Sequence, residues 1–474
     1  MDTSKLPAWP TKDDPLSAFL NRHSWLIVLI FAPLFVVTYF PANYAIPFPI
    51  WDKWWWAIRY VGYVSIALQI LRHRNLVPWL TSFLLLFLYF GLSSRLTDQT
   101  PDWGTGNFHV IMDLGFVSLT AYVFSLKKEP ALLAYIIPGI IMSCVNFYTF
   151  FVFKDVPGGM AAGITAYDQT QSWFFFTHDN GSFFITFPTV VLVLYYGLQV
   201  RKSLRYVAIG YAGVVAAIYT WMFSVAAMFG YGLLFIAAVV ALVLQRDPKR
   251  RFSSNLYPIC IAVGLVICLL MVLANTNDIL PGLVAFLGKS YTIQMRQTIW
   301  RRVFEFFPKY PLTGIGLLGT NANVANITFS HCHNILLQQL YTGGLLALAA
   351  ALLNVLSFWK RGRKVSPAVA LLYVSMFVYL LVGTFDFYDY FPFMWAVLFM
   401  AYAATAESPK AGEELPGADP EAVADPSAVS AAQAYGAPVS GARPVVKATE
   451  PAPAAGSHFS ADGTASRPNV KHFR

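Results

Sequence analysis

Charge is scarce in this sequence. Asp, Glu, Lys and Arg make up 12% of its 474 residues, where a soluble globular domain carries roughly 25%. So little charge cannot cover a water-facing surface, which excludes an ordinary soluble fold. Cysteine is scarce as well. Cys144, Cys260, Cys268 and Cys332 are scattered, three of them inside apolar runs, so neither a disulfide framework nor a CxxC metal site is expected. A cleavable signal pattern is also missing. Met1 to His23 is polar, and the apolar run after it lacks a small-residue cleavage site, so the first span is expected to stay in the protein.

Apolar residues are abundant, at 57% hydrophobic and 16% aromatic. A hydrocarbon core takes about 20 apolar residues per helix. Twelve runs of that kind follow one another, at 24–44, 54–71, 78–94, 108–125, 131–153, 182–200, 206–225, 229–245, 255–275, 335–358, 367–385 and 388–405. The expected fold is an all-α polytopic integral membrane protein of about 12 transmembrane helices. Gly230 and Gly232 are expected in the turn between the seventh and eighth spans.

Lys and Arg accumulate on the cytoplasmic side of membrane proteins. Alternate loops here hold 18 such residues on one side and 8 on the other, five of the 8 within the long loop 276–334. Both termini are therefore expected in the cytoplasm and the long loop outside, in the periplasm. The expected organisation is a cytoplasmic segment 1–23, a transmembrane catalytic domain 24–405 and a tail 406–474. That tail is rich in Ala, Pro, Gly, Ser and Asp, buries too little apolar surface to order itself, and reads as disordered. It carries six basic and eight acidic residues, a net −2, so the membrane part carries +11 where the whole chain carries +9. Membrane lipid is the partner such charge suggests, and nothing points to nucleic acid.

The chain is organised around Arg296 to Gly344. Tyr291 to Phe307 interleaves Ile293, Ile299, Trp300, Val303, Phe304 and Phe307 with Arg296, Arg301 and Arg302, which predicts a short amphipathic helix at the interface, ended by Pro308. Arg296 and Trp300, four apart, share a face. Arg301 and Arg302 fit either lipid headgroups or a substrate phosphate. Pro311 to Gly319 supplies a glycine-rich turn. His331-Cys332-His333-Asn334 then stands where the loop enters the next span. Three readings are open for these histidines. One is a metal-binding pair, although no third ligand lies nearby; one is a polar cap on the helix; one is a general base, since imidazole takes a proton near neutral pH. In the last case Asn334 and Gln338 or Gln339 would orient the acceptor.

The order R-x-x-x-W, P-L-T-G-x-G and H-N-x-x-L-Q-x-x-x-x-x-G resembles the bacterial O-antigen ligase and polymerase family. Its positions here are Arg296, Trp300, Pro311, Leu312, Gly314, Gly316, His333, Asn334, Leu337, Gln338 and Gly344. The resemblance implies a metal-independent, cofactor-independent inverting glycosyltransferase of GT-C-type architecture. Its donor would be an undecaprenyl-pyrophosphate-linked glycan and its acceptor lipid A-core or another glycan, at the periplasmic face of the inner membrane. His333 would match the family's base and Arg296 its pyrophosphate-binding arginine. A fixed guanidinium would neutralise the leaving pyrophosphate without a metal ion. Two departures stand out. Ala347 replaces the usual Gly, Thr or Val, and Phe223-Ser224-Val225 lacks the Ser-Arg pair of the family.

Arg59, in WWWAIRY, is the substitute cation that the sequence offers, with snorkelling to headgroups as its other reading. Asp113 fits a structural ion pair or acceptor binding, and Asp386 and Asp389 fit acceptor contact or a plain interfacial loop. Ligase and polymerase are two readings of one chemistry. A polyprenyl-glycan transporter is the reading from another class; it would show internal repeats, and none is found.

Overall fold

The computed structural model describes residues 15–38, 60–61, 119–153, 179–221, 225–247, 249–273, 290–314, 332–385 and 394–410. Most of the run expected at 54–71, all of that at 78–94 and most of that at 108–125 lie outside these, as do Arg59, Asp113, His331, Asp386 and Asp389. The chain divides into two units, 1–414 and 415–474, and every described residue belongs to the first.

The apolar runs form helices because a backbone in hydrocarbon must satisfy its own hydrogen bonds. In order they are α1 (Pro15–Arg22), α2 (Ser24–Thr38), α3 (Lys128–Phe153), α4 (Asp179–Tyr195), α5 (Arg205–Trp221) and α6 (Val225–Leu244). After a two-residue strand β1 (Phe252–Ser253) come α7 (Leu256–Leu273), α8 (Ser290–Phe306) and α9 (Ile335–Ser357). The second strand β2 (Lys364–Val365) leads into α10 (Pro367–Gly383) and α11 (Met394–Ala406). Five described helices are long and apolar enough to cross a membrane, or six if α1 and α2, bent by 102°, count as one span. This is a polytopic membrane protein.

Helix α10 is the axis of the bundle. Nearly all of its side chains are buried, and it packs against α4, α6, α7 and α11. Helices α5, α6 and α7 instead keep large apolar residues such as Val214, Ile236 and Val266 exposed, as a lipid-facing surface requires. One expectation is corrected here. Gly230 and Gly232 do not form a turn, because α6 begins at Val225 and carries both. A Cβ on Gly230 would stand 2.7 Å from Phe183 and 2.7 Å from Val382, so this glycine lets α6 approach α4 and α10 closely, a use of small residues common between membrane helices.

The described basic stretches gather at one end of the bundle. There Asn21 accepts from the Lys127 N–H at 2.7 Å, Lys128 pairs with Glu407, and Arg201 pairs with Glu129 at 2.5 Å. The strands β1 and β2 run antiparallel with Phe252 opposite Val365. The chain does not leave this end at the close of α11. Arg363 donates to the Ser408 carbonyl at 2.7 Å and the Lys364 N–H to that of Pro409 at 3.0 Å.

Candidate active site

The opposite end is built around the start of α9. Asn334 caps that helix. Its side-chain oxygen accepts from the Leu336 and Leu337 N–H groups, each at 3.0 Å, which satisfies two donors that a helix start leaves without partners. The same side chain donates to the Thr384 carbonyl at 3.1 Å and accepts from the Cys268 thiol at 3.5 Å. One fully buried amide thus ties the ends of α7, α9 and α10 together.

His333 precedes this cap with φ +46°, and among the described residues no other non-glycine residue has a positive φ. Left-handed backbone is unfavourable for most residues with a Cβ, and it persists where neighbours over-determine it. The neighbours do so on both sides. Beyond Asn334, the buried Cys332 gives its N–H to the Gln338 side-chain oxygen at 2.8 Å and receives the Trp300 indole N–H on its carbonyl at 2.9 Å. The imidazole of His333 is half-buried between two clamped residues.

The amphipathic helix forms where the spacing predicts, over Ser290–Phe306, followed by a 3-10 turn over Phe307–Lys309. Trp300 and Val303 face inward to a small apolar cluster with Val272, Cys332, Leu337 and Tyr341. Arg296, one turn before Trp300, is half-buried, whereas Arg301 and Arg302 are exposed, the latter paired with Glu305 at 2.8 Å. The structure therefore brings Arg296 and His333 onto elements that touch, and turns Arg301 and Arg302 outward.

The glycine-rich turn has a structural task. Helix α9 breaks at Gly344, with φ +65° and ψ −161°. In an unbroken helix the Leu345 and Leu346 N–H groups would bond four residues back. Here they donate instead to the carbonyls of Pro311 at 2.9 Å and Leu312 at 3.2 Å. Backbone meets backbone so closely that a Cβ on Gly344 would lie 2.4 Å from the Leu312 carbonyl oxygen, and one on Gly314 would lie 2.6 Å from the Gly344 nitrogen. Only paired glycines permit that approach. Just before the break, Thr342 donates its hydroxyl to the Gln338 carbonyl at 2.7 Å.

In the general-base reading of the sequence, Asn334 and Gln338 or Gln339 orient the acceptor, and the structure already occupies Asn334 and Gln338. Both amides are engaged in holding the turn that carries His333. The adjacent Gln339 has a buried side-chain oxygen with no hydrogen-bond partner among the described residues. Cys268, Cys332 and Thr384 were missed altogether, since nothing in a lone thiol or hydroxyl marks it as part of a cap.

Residues 212–352 match a family model described as O-antigen ligase. That stretch is similar to the O-antigen ligase family. It runs from α5 to α9 and contains Arg296, Trp300, Gly314, His333, Asn334 and Gly344, while Arg59, Asp113 and Asp389 fall outside it. Comparison with curated proteins and with solved structures finds no match.

Proposed function

We propose that the protein joins a glycan carried on undecaprenyl pyrophosphate to a hydroxyl of lipid A-core, at the periplasmic face of the inner membrane, with inversion at the transferred sugar. The basic end of the bundle, where Asn21 meets Lys127 and Glu407 meets Lys128, then faces the cytoplasm. His333 accepts the proton of the attacking hydroxyl. The new bond forms between that oxygen and C1 of the donor sugar, while the bond from C1 to the phosphate oxygen breaks and undecaprenyl pyrophosphate leaves. Arg296 stabilises the charge that develops on the leaving group. Arg301, Arg302 and Arg59 are further cations for the donor, and Asp113 and Asp389 further contacts for the acceptor. Gln339, with its unmatched carbonyl, is better suited than Asn334 or Gln338 to orient an acceptor hydroxyl.

One observation carries this reading. Within the stretch similar to the O-antigen ligase family, a half-buried imidazole is held in a left-handed turn and tied by Trp300 to the helix that bears Arg296. The test is lipopolysaccharide banding in cells that lack the gene and are complemented with wild type or His333→Ala. Free core alongside polymerised carrier-linked glycan supports ligation. Core bearing a single repeat unit assigns the protein to chain polymerisation instead, the reading favoured by Ala347 and by the missing Ser-Arg pair. Full complementation by His333→Ala at equal expression refutes the base assignment.

A further inference from the structure

We infer that Trp300 and Gln338 are positioning residues for the base, and that the Trp300 indole sets the register between the donor-binding helix and the proton acceptor. The inference rests on the reading of His333 as base. Cys332 is the node. Its two backbone polar groups are claimed by side chains from two elements, the Gln338 oxygen from α9 and the Trp300 N–H from α8. Both side chains are buried, at 2% exposure each.

Packing alone would require only the ring of Trp300, and a phenylalanine would serve. The indole N–H adds direction, because it fixes the Cys332 carbonyl and with it the peptide that enters His333. That peptide feeds a residue whose φ of +46° is unfavourable for most residues with a Cβ, so holding both flanks fixes the backbone from which the imidazole projects. The Asn334 cap holds one flank and the Cys332 pair holds the other. Trp300 also lies one turn beyond Arg296 on the same helix. A displacement of the donor-side cation is therefore passed to the base through one hydrogen bond and one peptide. Displacement of a reacting group by about 1 Å costs on the order of 10²-fold in rate, so the bond matters to turnover far more than to donor affinity.

The test uses purified full-length protein in detergent, with lipid-linked glycan and lipid A-core extracted from cells lacking the gene. Trp300→Phe and Gln338→Met keep side-chain bulk and remove one hydrogen bond each. The expected result is a fall in kcat of about 10²-fold with KM for the lipid-linked glycan little changed. Gln338→Glu retains an acceptor oxygen for the Cys332 N–H and is expected to restore most of the rate. On a His333→Asn background, Trp300→Phe is expected to cause no further loss, since groups that act as one unit are not additive. Folded Trp300→Phe and Gln338→Met proteins with wild-type kcat overturn the inference, and so does a full further loss on the His333→Asn background. If Trp300→Phe gives no monodisperse protein, the Gln338→Met and Gln338→Glu pair decides alone. A His333→Asn protein with wild-type kcat removes the base reading itself, an outcome distinct from the failure of the two positioning residues.

Discussion

Gly344→Ala is the sharpest perturbation the structure offers. With φ +65° and ψ −161°, this residue occupies backbone space essentially reserved for glycine, where a side chain costs of order 1–3 kcal/mol. The added Cβ would also lie 2.4 Å from both the carbonyl carbon and the carbonyl oxygen of Leu312. Backbone atoms cannot relieve such a contact by changing rotamer, so the 311–314 turn must withdraw. The Leu345 and Leu346 N–H groups then lose their acceptors, at roughly 1–3 kcal/mol for each buried group left unmatched. Together these effects amount to about 3–9 kcal/mol, a large part of the roughly 5–15 kcal/mol that holds a typical protein folded. Two controls isolate the cause. Gly362 has φ +70° but open space where a Cβ would go, and Gly232 is helical with open space. Thermal melts of detergent-solubilised protein, read by size-exclusion chromatography, should rank Gly232→Ala at or above wild type, Gly362→Ala below it, and Gly344→Ala lowest with ligation lost. A Gly344→Ala protein that melts with Gly362→Ala and still ligates would refute the account of the break.

Three further outcomes follow from the geometry. His333→Asn should melt like wild type, because Asn tolerates the left-handed region, while transfer falls by about 10²–10⁴-fold as expected for loss of a general base; a melt and a ligation gel on one preparation check both. Asn334→Ala removes the cap of α9, worth about 1 kcal/mol, and strips the Thr384 carbonyl of its donor, so Tm should drop, whereas Asn334→Asp keeps the cap and should fall between the two. Arg302→Ala breaks only an exposed pair with Glu305, and such pairs contribute about 0.2–1 kcal/mol; Tm should not move, so any loss of transfer in that variant reports contact with substrate.

The spans were legible because lipid imposes a blunt rule on composition. The starts expected at 206, 255, 335 and 367 lie within one residue of the observed Arg205, Leu256, Ile335 and Pro367. The amphipathic helix was legible from its interleaved arginines and aromatics. Gly230 misled because a helix that is apolar on every side does not reveal where it turns, and a glycine that admits a neighbouring helix looks like one that bends the chain. The break at Gly344 was hidden for a different reason. Its cause is the carbonyls of Pro311 and Leu312, some thirty residues earlier, and the apolar sequence of α9 carries no mark of them. The amides of the H-C-H-N-x-x-x-Q run were visible as polar groups, but whether they serve a substrate or their own turn depends on Cys268, Trp300 and Thr384, which arrive from three other helices.

The seventeen residues 315–331 join two fixed points, Gly314 in the break of α9 and Cys332 between Trp300 and Gln338. The bonds that hold these two points come from Tyr310, Trp300 and Gln338, none of which lies in the connection. Severing or re-threading the chain between 315 and 331 therefore leaves those bonds their donors and acceptors, and α8 stays fastened to the start of α9 through a side chain rather than through the peptide that links the two helices.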